Sequence, residues 1–277
     1  MNTILVPTDL SADTDIALSV AVDLARTSQS TIRLVHSVVY PLPMPAYAEA
    51  APITVNRTVE ECQEIEQEAK AALDRLIANE KYKGVTILPT LLANGEGLVH
   101  NVTDRPADLI VMTSKGASGL EEWLIGSNAE TIVRYAHCPV LIVKHPIAHF
   151  RPENIVCAID IDERLKAVQH YPFQLGKRGL HQFLYVTTPT DSRVPEGVRD
   201  WVSEFASAKG ITDFECTVRQ ARDVSDGIIN YAEEVNADLI VLFTHGYKGL
   251  RHMFAGSVAE DVLNHANTPV LVMRIGR

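Results

Sequence analysis

The chain has 277 residues, 46% of them hydrophobic and 22% charged, an ordinary globular composition that excludes a disordered or collagen-like chain. Its 35 acidic residues against 25 basic ones give a net charge of −10, a field that repels phosphate backbones and anionic lipid surfaces. Nucleic-acid and membrane-surface partners are therefore disfavoured, while a local anion site built from backbone N–H groups stays open.

In chain order, residues 4–8 form a short apolar run, read as a buried strand. Residues 11–26 place Ile16, Val20 and Leu24 at helical spacing, with Ser11 as the expected N-cap. A second strand is expected over 31–39. Residues 40–54 contain four prolines and read as a loop, suited to a lid, a subunit contact or a mobile segment. A helix with an acidic face (Glu60, Glu61, Glu64, Glu68) is expected over 59–79, its charges simply solvated. Strands at 85–93, 109–114 and 140–144 alternate with helices at 97–102 and 127–137. Continuous Val, Ile and Leu runs, rather than strict alternation, imply strands covered on both faces. Strand–helix alternation then implies a parallel, doubly wound α/β sheet.

The chain repeats this plan. Residues 107–143 and 237–273 align at a constant offset of 130 without a gap, sharing Ala-Asp-Leu-Ile-Val, a glycine (Gly116, Gly246), a Gly-Ser pair (Gly126-Ser127, Gly256-Ser257) and Pro-Val-Leu. The first strands align at an offset of 151, so the second copy has lost about 21 residues between its first strand and its glycine motif. The expectation is two tandem, Rossmann-like, five-stranded parallel sheets, with domains at 1–147 and 152–277. The second middle helix, near 195–209, should be shorter than the first.

Cys62, Cys138, Cys157 and Cys216 form no CxxC pair, which leaves neither a zinc knuckle nor a thioredoxin-like motif and suggests buried thiols in a reducing compartment. There is no basic n-region at the start, and apolar runs such as 239–243 are about five residues, against the ~20 that span a bilayer. A soluble, cytoplasmic protein is expected.

In each copy the glycine (Gly116, Gly246) follows the fourth strand, and nine residues later Gly-Ser opens a helix. Glycine lets backbone approach a ligand, and a helix N-terminus presents unpaired N–H groups, so together they can hold phosphate without Lys or Arg. The competing reading is capping: Ser127-Asn128-Ala129-Glu130 and Ser257-Val258-Ala259-Glu260 are both S-x-x-E boxes. Asp9 and Asp160, ending the first strands, are either acceptors for a nucleoside or caps of the following turn. His36 and His245 have no spaced partner, which speaks against a metal site. Trp123 and Leu124 read as packing residues. No Walker A loop, GxGxxG, GxSxG or HExxH is present, and no nucleophile–base–orienter set can be named.

These residues resemble the universal stress protein family in its tandem two-domain form, a branch of the adenine nucleotide α-hydrolase-like folds. The family pattern is G-x2-G-x9-G-[ST] after the fourth strand, with an Asp ending the first. Here it is matched by Gly116-x9-Gly126-Ser127 with Asp9, and by Gly246-x9-Gly256-Ser257 with Asp160. The pattern's first glycine is Thr113 in one copy and Phe243 in the other; Phe243 is the bulkier departure unless its ring turns into the core. Tyr185-Val186 also replaces His36-Ser37. The resemblance implies ATP or a related adenine nucleotide, with or without Mg, in a sensor or switch of the stress response. Its N-terminal site would comprise Pro7, Thr8, Asp9, Ser37, Val38, Thr113, Gly116, Gly126, Ser127 and Asn128, with Asp9 on the adenosine and Ser37–Val38 on the adenine edge. A weaker C-terminal site would comprise Asp160, Gly246, Gly256, Ser257 and Val258. The resemblance also implies that strands 139–144 and 269–274 meet as an intrachain pseudo-dimer, and allows a homodimer. The alternatives are a scaffold that binds no nucleotide and works through partner surfaces such as 40–54, and a nucleotide-cleaving enzyme, for which no general base can be assigned.

Overall fold

Ten strands form one sheet in the order β3-β2-β1-β4-β5-β10-β9-β6-β7-β8. The computed structural model describes residues 1–40, 51–114, 125–167, 180–191, 193–245 and 257–275. The first half supplies β1 (Thr3–Pro7), α1 (Thr14–Ser28), β2 (Thr31–Ser37), α2 (Ala51–Ile77), β3 (Ile87–Leu92), α3 (Leu98–Thr103), β4 (Leu109–Thr113), α4 (Ser127–Tyr135) and β5 (Val140–Val143). The second supplies β6 (Asn154–Ala158), β7 (Leu180–Thr187), α5 (Pro195–Ala208), β8 (Phe214–Gln220), α6 (Val224–Glu234), β9 (Leu239–His245), α7 (Val258–His265) and β10 (Val270–Ile275). Within each half every strand pair is parallel. The two halves join edge to edge: β10 runs antiparallel to β5, with Val270 opposite Ile142, Leu271 opposite Leu141 and Val272 opposite Val140.

Both faces of this sheet are covered, as the continuous apolar runs require. One core packs α1, α2 and α5 on Ile4, Val6, Leu109, Leu141, Phe183 and Leu271. The other packs α3, α4, α6 and α7 on Leu5, Ile110, Ile142, Ile240 and Val270. Each core runs unbroken through both halves. The repeated Ala-Asp-Leu-Ile-Val also has a structural account. The Asp108 carboxylate accepts the N–H groups of Asn2 (2.6 Å) and Thr3 (2.9 Å), pinning the start of β1 beside β4. Asp238 does the same for Glu153 (3.0 Å) and Asn154 (2.9 Å) at β6.

Three expectations are corrected. The Pro-rich stretch is not loop to residue 54, because α2 begins at Ala51; residues 41–50, and Trp123 with Leu124, lie outside the described residues. Ser11 does not cap α1. The helix starts at Thr14 behind Asp13, because Leu10 takes a left-handed φ of 63° and the Thr8 hydroxyl holds both the Leu10 N–H (2.8 Å) and the Thr14 hydroxyl (2.7 Å). Ser127 is not an N-cap either: Gly126 takes that position, and the Glu130 N–H goes to the Gly126 carbonyl at 2.9 Å. As expected, α5 is the shorter middle helix, 14 residues against 27 in α2.

Polar contacts reinforce the seam. The buried Asn264 side chain on α7 accepts the N–H of Ile125 at 2.8 Å, and Lys144 Nζ donates to the Asn264 carbonyl at 2.6 Å. Arg274 Nη1 donates to the Ala136 carbonyl at the end of α4, at 3.1 Å. Replacing Asn264 with Leu keeps the branched skeleton but strands the Ile125 amide, so the variant should lose about 1–3 kcal/mol. A thermal melt should show Tm lower by several degrees; an unchanged Tm would remove Asn264 from the seam's energetics.

Candidate functional site

Open parallel sheets bind ligands beyond the carboxyl ends of their strands. Each half has a cavity there. In the N-terminal half it measures about 70 Å³ and lies between the ends of β1 and β4 and the start of α4. Pro7, Asp9, Thr113, Gly126, Ser127 and Asn128 all line it. Thr8, Ser37 and Val38 do not, and each has other work. Thr8 is buried, its N–H donates to the Val35 carbonyl at 2.9 Å, and its carbonyl meets His36 Nδ1 at 2.8 Å. The Ser37 hydroxyl donates to the Glu96 carbonyl (2.7 Å) and accepts from Asn101 (3.0 Å). The Val38 N–H donates to the Leu92 carbonyl at 2.8 Å. Gly116 lies outside the described residues. Asp9 combines its two readings: it is exposed at the cavity while its Oδ1 accepts the Ser11 N–H at 3.0 Å.

The cavity of the C-terminal half is larger, about 320 Å³. Ala158, Leu184, Val186, Ile228 and Leu242 give it an apolar floor, and Asp160 and Val258 of the expected set also line it. Ser257 is not among its walls, and Gly246 and Gly256 lie outside the described residues. Phe243 borders the cavity, but its ring packs edge-on against Phe205 at 6.3 Å, on the face that α5 covers. The bulk at this glycine-replacing position is thus absorbed by the core. Gly227 on α6 lets that helix pack closely on β7, since a Cβ there would sit 2.6 Å from Val186 and 2.9 Å from Ala221.

A polar group at the mouth of this cavity has no counterpart among the expected residues. Tyr185 donates its hydroxyl to Asp191 (2.6 Å) and accepts from Arg193 Nη1 (2.5 Å). The same guanidinium lies 3.8 Å from Asp160 and 3.7 Å from Asp191. Burial and the Asp191 hydrogen bond push the Tyr185 phenol up to about 12, and the Tyr185 hydrogen bond holds Asp191 below the usual carboxylate value, so near neutrality the first is a phenol and the second an anion. The available signal was the turn-rich run after β7, Thr-Thr-Pro-Thr-Asp-Ser-Arg, from which Asp191 and Arg193 reach back to Tyr185.

The helix starts around the two cavities differ in kind. In the N-terminal half, Leu98 and Ser127 line the cavity, and both their helices begin on glycine, Gly97 and Gly126, without a side-chain cap. In the C-terminal half, Val224 and Val258 line the cavity, and both helices are capped by side chains. Asp223 Oδ1 accepts the Ser225 N–H at 2.8 Å, and Ser257 Oγ accepts the Glu260 N–H at 3.2 Å. Capping therefore explains Ser257 but not Ser127. Among the described residues no group of three His, Cys, Asp or Glu side chains could hold a metal, and no helix is long and apolar enough to cross a membrane. The four cysteines are free, and burial pushes the Cys138 and Cys157 thiols up to about 12.

The sequence matches the model of the Universal stress protein family twice, over residues 1–144 and 153–274. The chain belongs to the universal stress protein family. It is 28% identical to a universal stress protein of Mycolicibacterium smegmatis across 98% of this chain and 96% of that one. It is 30% identical to universal stress protein YxiE of Bacillus subtilis across 52% of this chain and 99% of that one. Among solved structures, a universal stress protein from Archaeoglobus fulgidus superposes with a TM-score of 0.65, at 20% identity and 99% coverage of both chains. That likeness extends the tandem, Rossmann-like fold to a crystal structure of the same length.

The two serines of the repeat should behave differently on substitution. Ser257→Ala removes a cap and should cost about 1 kcal/mol, whereas Ser127→Ala removes no capping bond. Urea unfolding midpoints should fall for the first and stay within error for the second; equal losses would contradict the capping difference.

Proposed function

We propose that this universal stress protein binds ATP or a related adenine nucleotide and acts as a sensor or switch in the stress response. The observation that carries the reading is the start of α4. Gly126 caps it without a side chain, the Ser127 hydroxyl is not engaged by the Glu130 amide, and Asp9 lines the same cavity. The first-turn amides of such a helix, with its positive dipole end, favour an anion. The cavity is too small for a whole nucleotide and suits its phosphate end, with Asp9 placed for the sugar outside it. Magnesium would enter with the phosphates, since among the described residues no protein cluster could hold it.

In this reading the protein acts by binding rather than turnover, resides in the cytoplasm and uses neither nucleic acid nor membrane as partner. The two halves serve as a pseudo-dimer across β5 and β10, with a homodimer of chains as the further assembly. The scaffold alternative draws on Val38, whose N–H is already spent on Leu92, and on Thr113 at the pattern's first glycine.

Calorimetric titration with Mg-ATP tests the site. Gly126 has φ −65° and ψ 147°, a conformation valine adopts freely, so Gly126→Val adds bulk at the cavity without backbone strain. ATP affinity should fall at least tenfold while the thermal melt stays in place. Heat unchanged by the substitution removes the assignment, and wild-type protein giving no heat favours the scaffold.

A further inference from the structure

Gly126 begins α4 with no side chain of its own to fix it. Where Ser257 starts α7, its hydroxyl holds the Glu260 N–H at 3.2 Å and locks the cap residue onto the first turn. Glycine has the freest backbone of any residue, so the direction of the α4 amides must be set from outside. Two flanking hydrogen bonds do this. The Gly126 N–H donates to the Ser114 carbonyl, just past the end of β4, at 2.7 Å. The Ile125 N–H donates to the side chain of Asn264, which belongs to the other half, at 2.8 Å. Asn264 is buried and Lys144 holds its carbonyl at 2.6 Å, so the acceptor stands on a fixed support.

This tie runs one way. Lys144 and Arg274 are corresponding positions of the two copies, and each donates across the seam at the end of the other half's last helix, to Asn264 at 2.6 Å and to Ala136 at 3.1 Å. Those contacts are reciprocal, as a seam between duplicated halves requires. Asn264 breaks the symmetry. Its counterpart in the first copy is Arg134, whose guanidinium meets Glu130 on its own helix at 2.7 Å. A guanidinium carries donors only and cannot accept an amide N–H. The acceptor is thus present in the direction where the cap is a glycine, and absent in the direction where the cap is Ser257.

We infer that Asn264 is a positioning residue for the nucleotide site of the opposite half: through the Ile125 amide it sets the direction of the Gly126 cap, so that the C-terminal half tunes the affinity of the N-terminal one. The inference rests on the ATP reading of that site. Preorganised amides hold an anion more tightly than amides that must first be aligned. Without the acceptor, the Ile125 N–H must find another partner, and the cap residue turns with it.

Calorimetric titration with Mg-ATP, run on the full chain well below the melting point of every variant, tests the inference. The affinity followed is that of the heat which Gly126→Val removes. Asn264→Leu takes away the acceptor and should weaken this binding about five- to tenfold. Asn264→Asp keeps an oxygen in the same place and should bind as wild type does. Arg274→Met loosens the seam at the far end of α4 without touching the Ile125 amide, and should leave ATP affinity unchanged even as Tm falls. A merely structural role for Asn264 would make Arg274→Met and Asn264→Leu behave alike. Linkage supplies a second readout: if the bond tightens ATP, ATP tightens the bond, so the Ile125 amide of wild type should exchange its proton about five- to tenfold more slowly with ATP bound. ATP affinity unchanged in Asn264→Leu, equal losses in Asn264→Leu and Arg274→Met, a loss in Asn264→Asp as large as in Asn264→Leu, or Ile125 exchange indifferent to ATP each overturns the positioning role and leaves the nucleotide site in place. No heat from wild type overturns both, since there is then no nucleotide affinity to tune.

Discussion

The antiparallel contact between β5 and β10 is the constraint on which the rest of the molecule depends. A parallel five-stranded half ends on a short, wholly apolar strand, Val140–Val143, and such an edge left open is an invitation to aggregation. Pairing it with Val270–Ile275 closes that edge inside the chain and makes both cores continuous from one half to the other. The strands left at the outside are β3 and β8. The first carries Pro89, which has no N–H to offer, and the second carries exposed Glu215 and Gln220. The seam is apolar in the middle, and the outer strands are blunted by chemistry unsuited to further pairing.

The same seam brings the ligand-facing elements of one half against the other. Asn264 sits in α7, whose first turn borders the C-terminal cavity, and its side chain holds the Ile125 amide one residue ahead of Gly126. An eight-residue helix is a stiff rod of about 12 Å. A shift of α7 at one cavity therefore moves the partner of the chain entering the other. The arrangement gives the two cavities in one continuous sheet a physical connection of a single helix and one hydrogen bond.

Much of this fold was legible because burial on both faces leaves strands as unbroken Val/Ile/Leu runs, and because the constant offset between the halves certifies them twice. What was not legible depends on direction rather than composition. Ser127-Asn128-Ala129-Glu130 has the letters of a capping box, yet Gly126 takes the cap position one residue earlier; in the other half the same letters do form the cap, on Ser257. Phe243 occupies a position where the family pattern has glycine, and only the structure shows its ring against Phe205 instead of across the cavity. The Tyr185–Asp191–Arg193 group joins a strand end to the turn six to eight residues on, a spacing with no regular period, so the sequence marks the turn but not the contact. Of the expected N-terminal site, the residues that line one cavity are those contributed by strand ends and the α4 start, whereas Thr8, Ser37 and Val38 spend their polar groups on holding β1, β2 and β3 together.

Charge ties these observations together. A chain of net charge −10 has no general attraction for phosphates, so any anion site must be made locally by backbone. Whether a helix start can do this depends on one residue. Glycine at the N-cap leaves the first-turn amides exposed; Asp or Ser consumes one of them and, in the case of Asp, cancels the dipole with a full charge. The duplicated halves keep their strands, their cores and the Asp108 and Asp238 anchors in common, and differ at the caps of both helices that face the cavity. Changing a cap costs the fold about a kilocalorie per mole or less when the replacement is glycine, far less than changing a core residue. The difference between the two halves therefore lies at positions where the fold gives up little stability, and the sheet that both halves share is left undisturbed.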